Sequence, residues 1–417
     1  MLTKRWIWST LTAASLLGTG SVWVGAQDAP KAEEKKAEEK PAEEKKEEPK
    51  PEAKAEDKKP EEKKPEEKKP EEKPAEPAKP EEKKPDAPAA AAAAGEIKPS
   101  VEVIHLDNPS GVAVQASTGH VFITSHQGVF RYPPVKTGRK IWLEVEGFPT
   151  DIYGKGPMYN VGPLGVTMWG NDRIIVCDGS RKDGEELVRI YKVEDKAPAA
   201  PRKEADAEFT LGPIAPGDLS PKGEGNFYAA AIFNDAIFVT SNGDDTKGWV
   251  AKSALVDGKP GPLTPTIATK EATQVDAPEG ITTKPDGSEL VIGQGGEVNV
   301  AGDSLLTFYD KEGKLVKSYK TGLHDIVGLA YSPSGKLYAV DFAWADTTQG
   351  GLFEMVIEGE ECKPKKILSL DRPTALSFDK EGGLFITVFG TGEKQPEPKE
   401  GETPKPAGAL LHVAPGL

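Results

Sequence analysis

From residue 108 to the C-terminus the chain repeats one pattern of apolar and polar positions. An apolar run led by a small residue is followed by a tight turn of Gly, Asp or Asn. A second run rich in β-branched and aromatic residues comes next, and after a loop a third. Copies begin in the segments 108–132, 162–180, 227–243, 277–296, 324–342 and 371–390, the third being the weakest. Short, near-continuously apolar runs predict strands covered on both faces. The turns between them (STG, GND, ND, PDG, PSG and KEG) use residues that accept a tight or left-handed backbone. Copies spaced by roughly fifty residues fit the period of propeller blades. The pattern therefore predicts an all-β domain over 96–417, a six-bladed β-propeller. Segment 101–106, VEVIHL, is an unassigned strand just before the first copy. It is predicted to complete the sixth blade and close the ring. A pair of β-sandwiches would not account for six copies sharing one internal order.

The first 95 residues follow different rules. Lys4 and Arg5 precede an apolar stretch over 6–24 diluted by Ser, Thr and Gly, and Val24-Gly25-Ala26 puts small residues where a signal peptidase reads them. Residues 1–26 read as a signal peptide, with an uncleaved membrane anchor as the alternative. Residues 27–95 are almost entirely Lys, Glu, Pro and Ala, with EEKKP recurring. Such a composition has no apolar face to bury, and its prolines stop helix from propagating, so it reads as a disordered, extended spacer. The expected location is outside the cytoplasm, periplasmic or extracellular, with envelope association through the spacer.

Charge narrows the partners. The chain carries a net charge of -14, and the spacer is nearly balanced, so the excess sits on the propeller. An acidic domain without a basic cluster is a poor nucleic-acid binder, and that class is set aside. The expected partners are a protein or a small-molecule or carbohydrate ligand, bound by a monomer.

The spacing P-x-G-[IV]-x-x-x-x-x-G-x-[LV]-[YF]-[VI]-[TVA] resembles the NHL-repeat and SMP-30/gluconolactonase-like six-bladed propellers, over nearly the whole of 96–417. The resemblance implies the fold strongly. It says little about function, since this scaffold hosts lactonases, lyases, sensors and binding modules. In the lactonase-like relatives, metal ligands largely precede the glycine that opens the first strand of a blade. Here those positions hold Ser110, Leu164, Glu279, Val327 and Thr374, and the third copy offers only alanines. Glu279, with Asp325 close to the same opening, is a thin ligand set for calcium, the ion that clustered oxygens would suit. The implied alternative function is a metal-dependent hydrolase with a degenerate or relocated site.

Loops after the second strands (179–186, 241–248, 293–304, 341–351 and 390–408) are long, whereas turns at the other rim read as minimal. Insertions gathered on one face of a repeat protein mark a binding face. That face is predicted to hold Ser110, His126, Asp178, Asn242, Asp244, Asp245, Glu297, Asp341, Trp344 and Asp346, with Asp303 and His324 nearby. Taken singly, an Asp or Asn in such a loop more commonly caps its own turn. No G-x-S-x-G, H-E-x-x-H or C-x-x-C motif is present, so no catalytic residue is assigned. Cys177 and Cys362 fall in the second and fifth copies, opposite one another in a six-membered ring. They are expected to stay unpaired, because a bridge needs Cα atoms within about 7 Å. The functional expectation is an exported binding or scaffold module working through its acidic, loop-rich face.

Overall fold

A computed structural model describes residues 97–134, 140–154, 158–243, 246–390 and 405–417. Residues 1–96, on which the expected signal peptide and spacer fall, and Asp244 and Asp245 lie outside the described residues. Six antiparallel sheets surround one axis. Their inner strands are Gly111–Val114, Pro163–Trp169, Phe227–Phe233, Pro278–Thr283, Ile326–Tyr331 and Pro373–Phe378, and each lies against the next around a closed ring. The strand Ser100–Leu106 pairs with Gly408–Val413, so the last blade is built from both ends of the domain. This is the closure that VEVIHL foreshadows.

Among the described residues the buried apolar side chains form six clusters, one at each interface between blades. Ile175, Cys177 and Val188 of blade two, for example, pack against Ile237, Val239 and Ala251 of blade three. That arrangement is why both faces of each strand are apolar in sequence. Cys177 and Cys362 lie in blades two and five, and both are buried free thiols.

Near the axis the blades meet backbone to backbone. A Cβ on Gly165 would lie 2.3 Å from the Tyr228 carbonyl oxygen and 2.9 Å from the Ala229 Cα. Only glycine permits that approach. Five of the six inner strands also slip register at their first residues: between Pro163 and Val166, Phe227 and Ala230, Pro278 and Ile281, Ile326 and Gly328, and Pro373 and Ala375. A bulge re-aims a side chain and frees backbone groups. Hydroxyls from neighbouring blades take up some of these groups. Thr124 Oγ1 donates to the Leu164 carbonyl, Thr240 Oγ1 to that of Glu279 (2.7 Å), and Thr374 Oγ1 to that of Pro109 (2.6 Å).

Two insertions depart from the sequence expectation. The rim opposite the long loops is not minimal throughout. Residues 193–208 form an excursion whose short strand Arg202–Lys203 runs parallel to Trp142–Glu146 of blade one. It is fastened by the buried Arg131–Glu144 pair (Nε to Oε2, 2.8 Å), which Arg202 joins from outside. On the other rim, the link between blades one and two folds into a hairpin, Asp151–Tyr153 with Tyr159–Val161. No helix among the described residues is long and apolar enough to cross a membrane.

Candidate functional site

One side chain from each blade faces the axis, Ser110 just ahead of its inner strand and Leu164, Tyr228, Glu279, Val327 and Thr374 within the bulges of the other five. The third copy, expected to offer only alanines, contributes Tyr228 instead, because its bulge begins at Phe227. These six side chains floor a cavity of about 60 Å³ at the mouth of the channel. Asn226, Asn242, Val298 and Asp325 stand around it, and rings cover the rest.

The rings come from distant parts of the chain. Tyr153 and Tyr159 of the hairpin reach across the mouth to blades five and six. Tyr153 meets Trp344 edge to face at 6.1 Å. Tyr159 meets Trp344 at 5.5 Å and Phe389 at 5.1 Å. Phe342 stacks on Trp344 at 5.1 Å. These are the separations and tilts that aromatic pairs favour. The Asn242 amide donates to the Tyr153 hydroxyl at 3.4 Å, tying the hairpin to blade three as well.

Asp341 sets the geometry around Trp344. Its carboxylate is buried and accepts the backbone N–H groups of Asp325 (2.8 Å), Ala343 (2.9 Å) and His324 (3.1 Å). Ala343 is thereby held at φ +54, a left-handed conformation uncommon for alanine, and this swings Trp344 over the cavity. The Trp344 backbone N–H in turn donates to Asp325 Oδ2.

Two carboxyl groups face this mostly apolar space. Burial raises the pKa of Asp325 to about 7, helped by the charges of Asp341 and Asp303 and opposed by the Trp344 N–H. Glu279 is raised well above the usual carboxylate range by burial, then by Asp325 and Asp341. Its Oε2 is buried with no hydrogen-bond partner. Among the described residues lining the cavity, none is basic.

Of the residues singled out from sequence, the cavity gathers Ser110, Asn242, Trp344, Glu279 and Asp325. Ser110 has a structural duty as well, its hydroxyl donating to the Pro163 carbonyl at 3.0 Å. Others lie elsewhere. His126 bridges Asp107 and Thr150 on the rim, with ring nitrogens 2.7 and 2.8 Å from their side-chain oxygens. Asp178 is buried against Ser180 and Arg181. Asp303 accepts the N–H of the exposed Glu297 at 3.0 Å, and the exposed Asp346 caps Thr348. Sequence reading missed Tyr153, Tyr159, Phe342 and Phe389. The segment 151–161, with tyrosines flanking Gly-Lys-Gly-Pro, carries a hairpin signal that could have found the first two.

No protein-family model matches the sequence, and no curated protein is a significant match. Solved structures do match the fold. The PQQ-bound aldose sugar dehydrogenase of Streptomyces coelicolor aligns over 78% of this chain and 100% of its own, at 15% identity and a TM-score of 0.51. A glucose dehydrogenase-type oxidoreductase of Thermus thermophilus aligns over 76% and 100%, at 15% identity and 0.50. A gluconolactonase of Xanthomonas campestris aligns over 79% and 99%, at 14% identity and 0.47. The class defined by fold and site is thus a six-bladed propeller with an aromatic-roofed cavity on its axis. At these identities the likeness establishes architecture alone.

Proposed function

We propose that this protein is an exported small-molecule-binding propeller whose ligand seats in the cavity at the channel mouth. Residues 1–95 would deliver the domain out of the cytoplasm and space it from the envelope. The observation carrying this reading is Glu279 Oε2, a buried oxygen without a hydrogen-bond partner in a mostly apolar cavity roofed by rings. Leaving such a group unmade is costly, and its retention suits an acceptor waiting for a ligand donor.

A metal-dependent lactonase is less well supported. Leu164 and Val327 hold axial positions where an ion would need oxygens, and Ser110 and Thr374 donate their hydroxyls to neighbouring carbonyls. Among the described residues, no three His, Cys, Asp or Glu side chains converge as metal ligands would. The donor set does not fit calcium. An anionic quinone such as PQQ finds no basic group among the described residues of the cavity lining. The exposed Glu297 and Asp346 support a second reading, a partner protein docking on the rim.

The test is a thermal-shift screen of the full chain against polyols, carboxylates, amines and lactones, repeated on Val298→Trp, which fills the cavity from a half-buried wall position. One class should raise Tm in the parent protein and not in the variant. Stabilisation that persists in Val298→Trp would move the ligand out of the cavity. No stabilisation by any class would leave the rim reading in its place.

A further inference from the structure

We propose that the cavity takes an organic cation, the head group of an alkylated ammonium compound, with Glu279 and Asp325 as counter-charges and the surrounding rings as its wall. The inference rests on the cavity being the ligand site and adds the chemical class of the ligand.

Three features point the same way. First, the two carboxyl groups among the described residues of the cavity stand in an apolar setting, and no Lys, Arg or His among the described residues lines it to neutralise either. A desolvated carboxyl without a counter-ion stays protonated, and a bound cation relieves that penalty. An anionic ligand would leave that penalty unrelieved and would find no cationic partner among the described lining residues. Second, the wall is made of ring faces and edges around Trp344, with Tyr159, Phe342 and Phe389 at 5.1 to 6.4 Å from one another or from Trp344. Aromatic quadrupoles attract a cation within about 6 Å, and cages of this composition hold quaternary ammonium groups. A hydrated metal ion gains little from such a wall, since it needs oxygen ligands. Third, the size fits. A cavity of about 60 Å³ holds roughly four to six waters at ~10–15 Å³ each. Tetramethylammonium has five heavy atoms, whereas a hexose has twelve.

Binding should depend on pH. The charged or titratable neighbours of Asp325 are Glu279 from blade four, Asp303 from the blade-four loop, and Asp341 and His324 from its own blade. Tyr228 faces Glu279 from blade three. These neighbours are mainly acidic, so a cation is opposed by protons on the carboxyls and favoured as they leave. With Asp325 titrating at about 7, the ionised fraction rises about tenfold between pH 6 and pH 8, and affinity should rise with it.

The experiment is calorimetric titration of the full chain with choline and with 3,3-dimethylbutan-1-ol, its uncharged isostere. Tetramethylammonium, calcium chloride and glucose are titrated in parallel. Choline and tetramethylammonium should bind, the isostere at least tenfold more weakly. Choline affinity should rise about tenfold from pH 6 to pH 8, and the rise should vanish in Asp325→Asn. Trp344→Phe should weaken choline modestly and Trp344→Ala at least tenfold. Should Trp344→Ala fail to fold, the isostere comparison on the parent protein decides alone. Equal binding of choline and isostere overturns the inference. Binding of glucose or calcium but not of the ammonium compounds, lost in Val298→Trp, overturns the ligand class and leaves the cavity as the site. Absence of binding by all five overturns the ammonium inference, and the broader screen decides the fate of the cavity itself.

Discussion

Asp325 couples the stability of the propeller to pH, and the size of that coupling follows from its surroundings. Its side chain is buried, and its pKa rises from the usual 3.8 to about 7 in the folded protein. Each pKa step of one is worth about 1.4 kcal/mol. The folded state holds its proton more tightly than the unfolded chain, so the contribution is fully present below pH 3.8. It is lost as pH rises toward 7, by about 4 kcal/mol in all, and stays lost above. Asp325→Asn lacks this titration but keeps an oxygen to accept the Trp344 backbone N–H. Urea unfolding of both proteins, read by tryptophan fluorescence at pH 4.5, 6 and 7.5, should show the variant gaining on the parent across that range. The gain should total about 3 to 4 kcal/mol. Glu279 and Asp341 share the field of Asp325, so the comparison is repeated in a Glu279→Gln background, where the gain should persist in reduced form. A difference constant within about 0.5 kcal/mol across the range would refute the reasoning.

Two further tests address the frame around the site. Gly165→Ala should cost about 1 to 3 kcal/mol in a denaturant melt, because the new methyl meets the backbone of the next blade, which cannot rotate away. Gly217→Ala, whose nearest neighbour would be 3.9 Å away, should stay within about 0.5 kcal/mol of the parent, and equal losses in the two would contradict the blade contact. The thiols of Cys177 and Cys362 are both pushed up by burial, the second to about 11. Both should resist an aromatic disulfide reagent in the native protein and react within the mixing time in urea; fast native reaction of Cys177 would place it outside the blade-two core.

Blade number, the turns, the closing strand and the separation of the two cysteines were legible in local pattern, because a strand covered on both faces announces itself as a short apolar run between turn residues. The P-x-G motif likewise marks the places where neighbouring blades touch along the axis. The cavity is another matter. Its floor takes one residue from each blade, and in five of the six which residue that is depends on a register slip of the backbone. Tyr228 was hidden for that reason in a run of alanines. Its roof depends on a hairpin reaching from the blade-one side to Trp344 and Phe389, some two hundred residues onward in sequence. The acidic loop residues looked alike in sequence, yet tertiary structure divided them. Asp341 and Asp178 turned inward to satisfy N–H and guanidinium groups, while Glu297 and Asp346 stayed in solvent. Sequence determines the repeating unit because strand and turn preferences act over a few residues. Only the closed ring decides the site, because closure alone brings side chains from six blades onto one axis and takes the water from around two of its carboxyls.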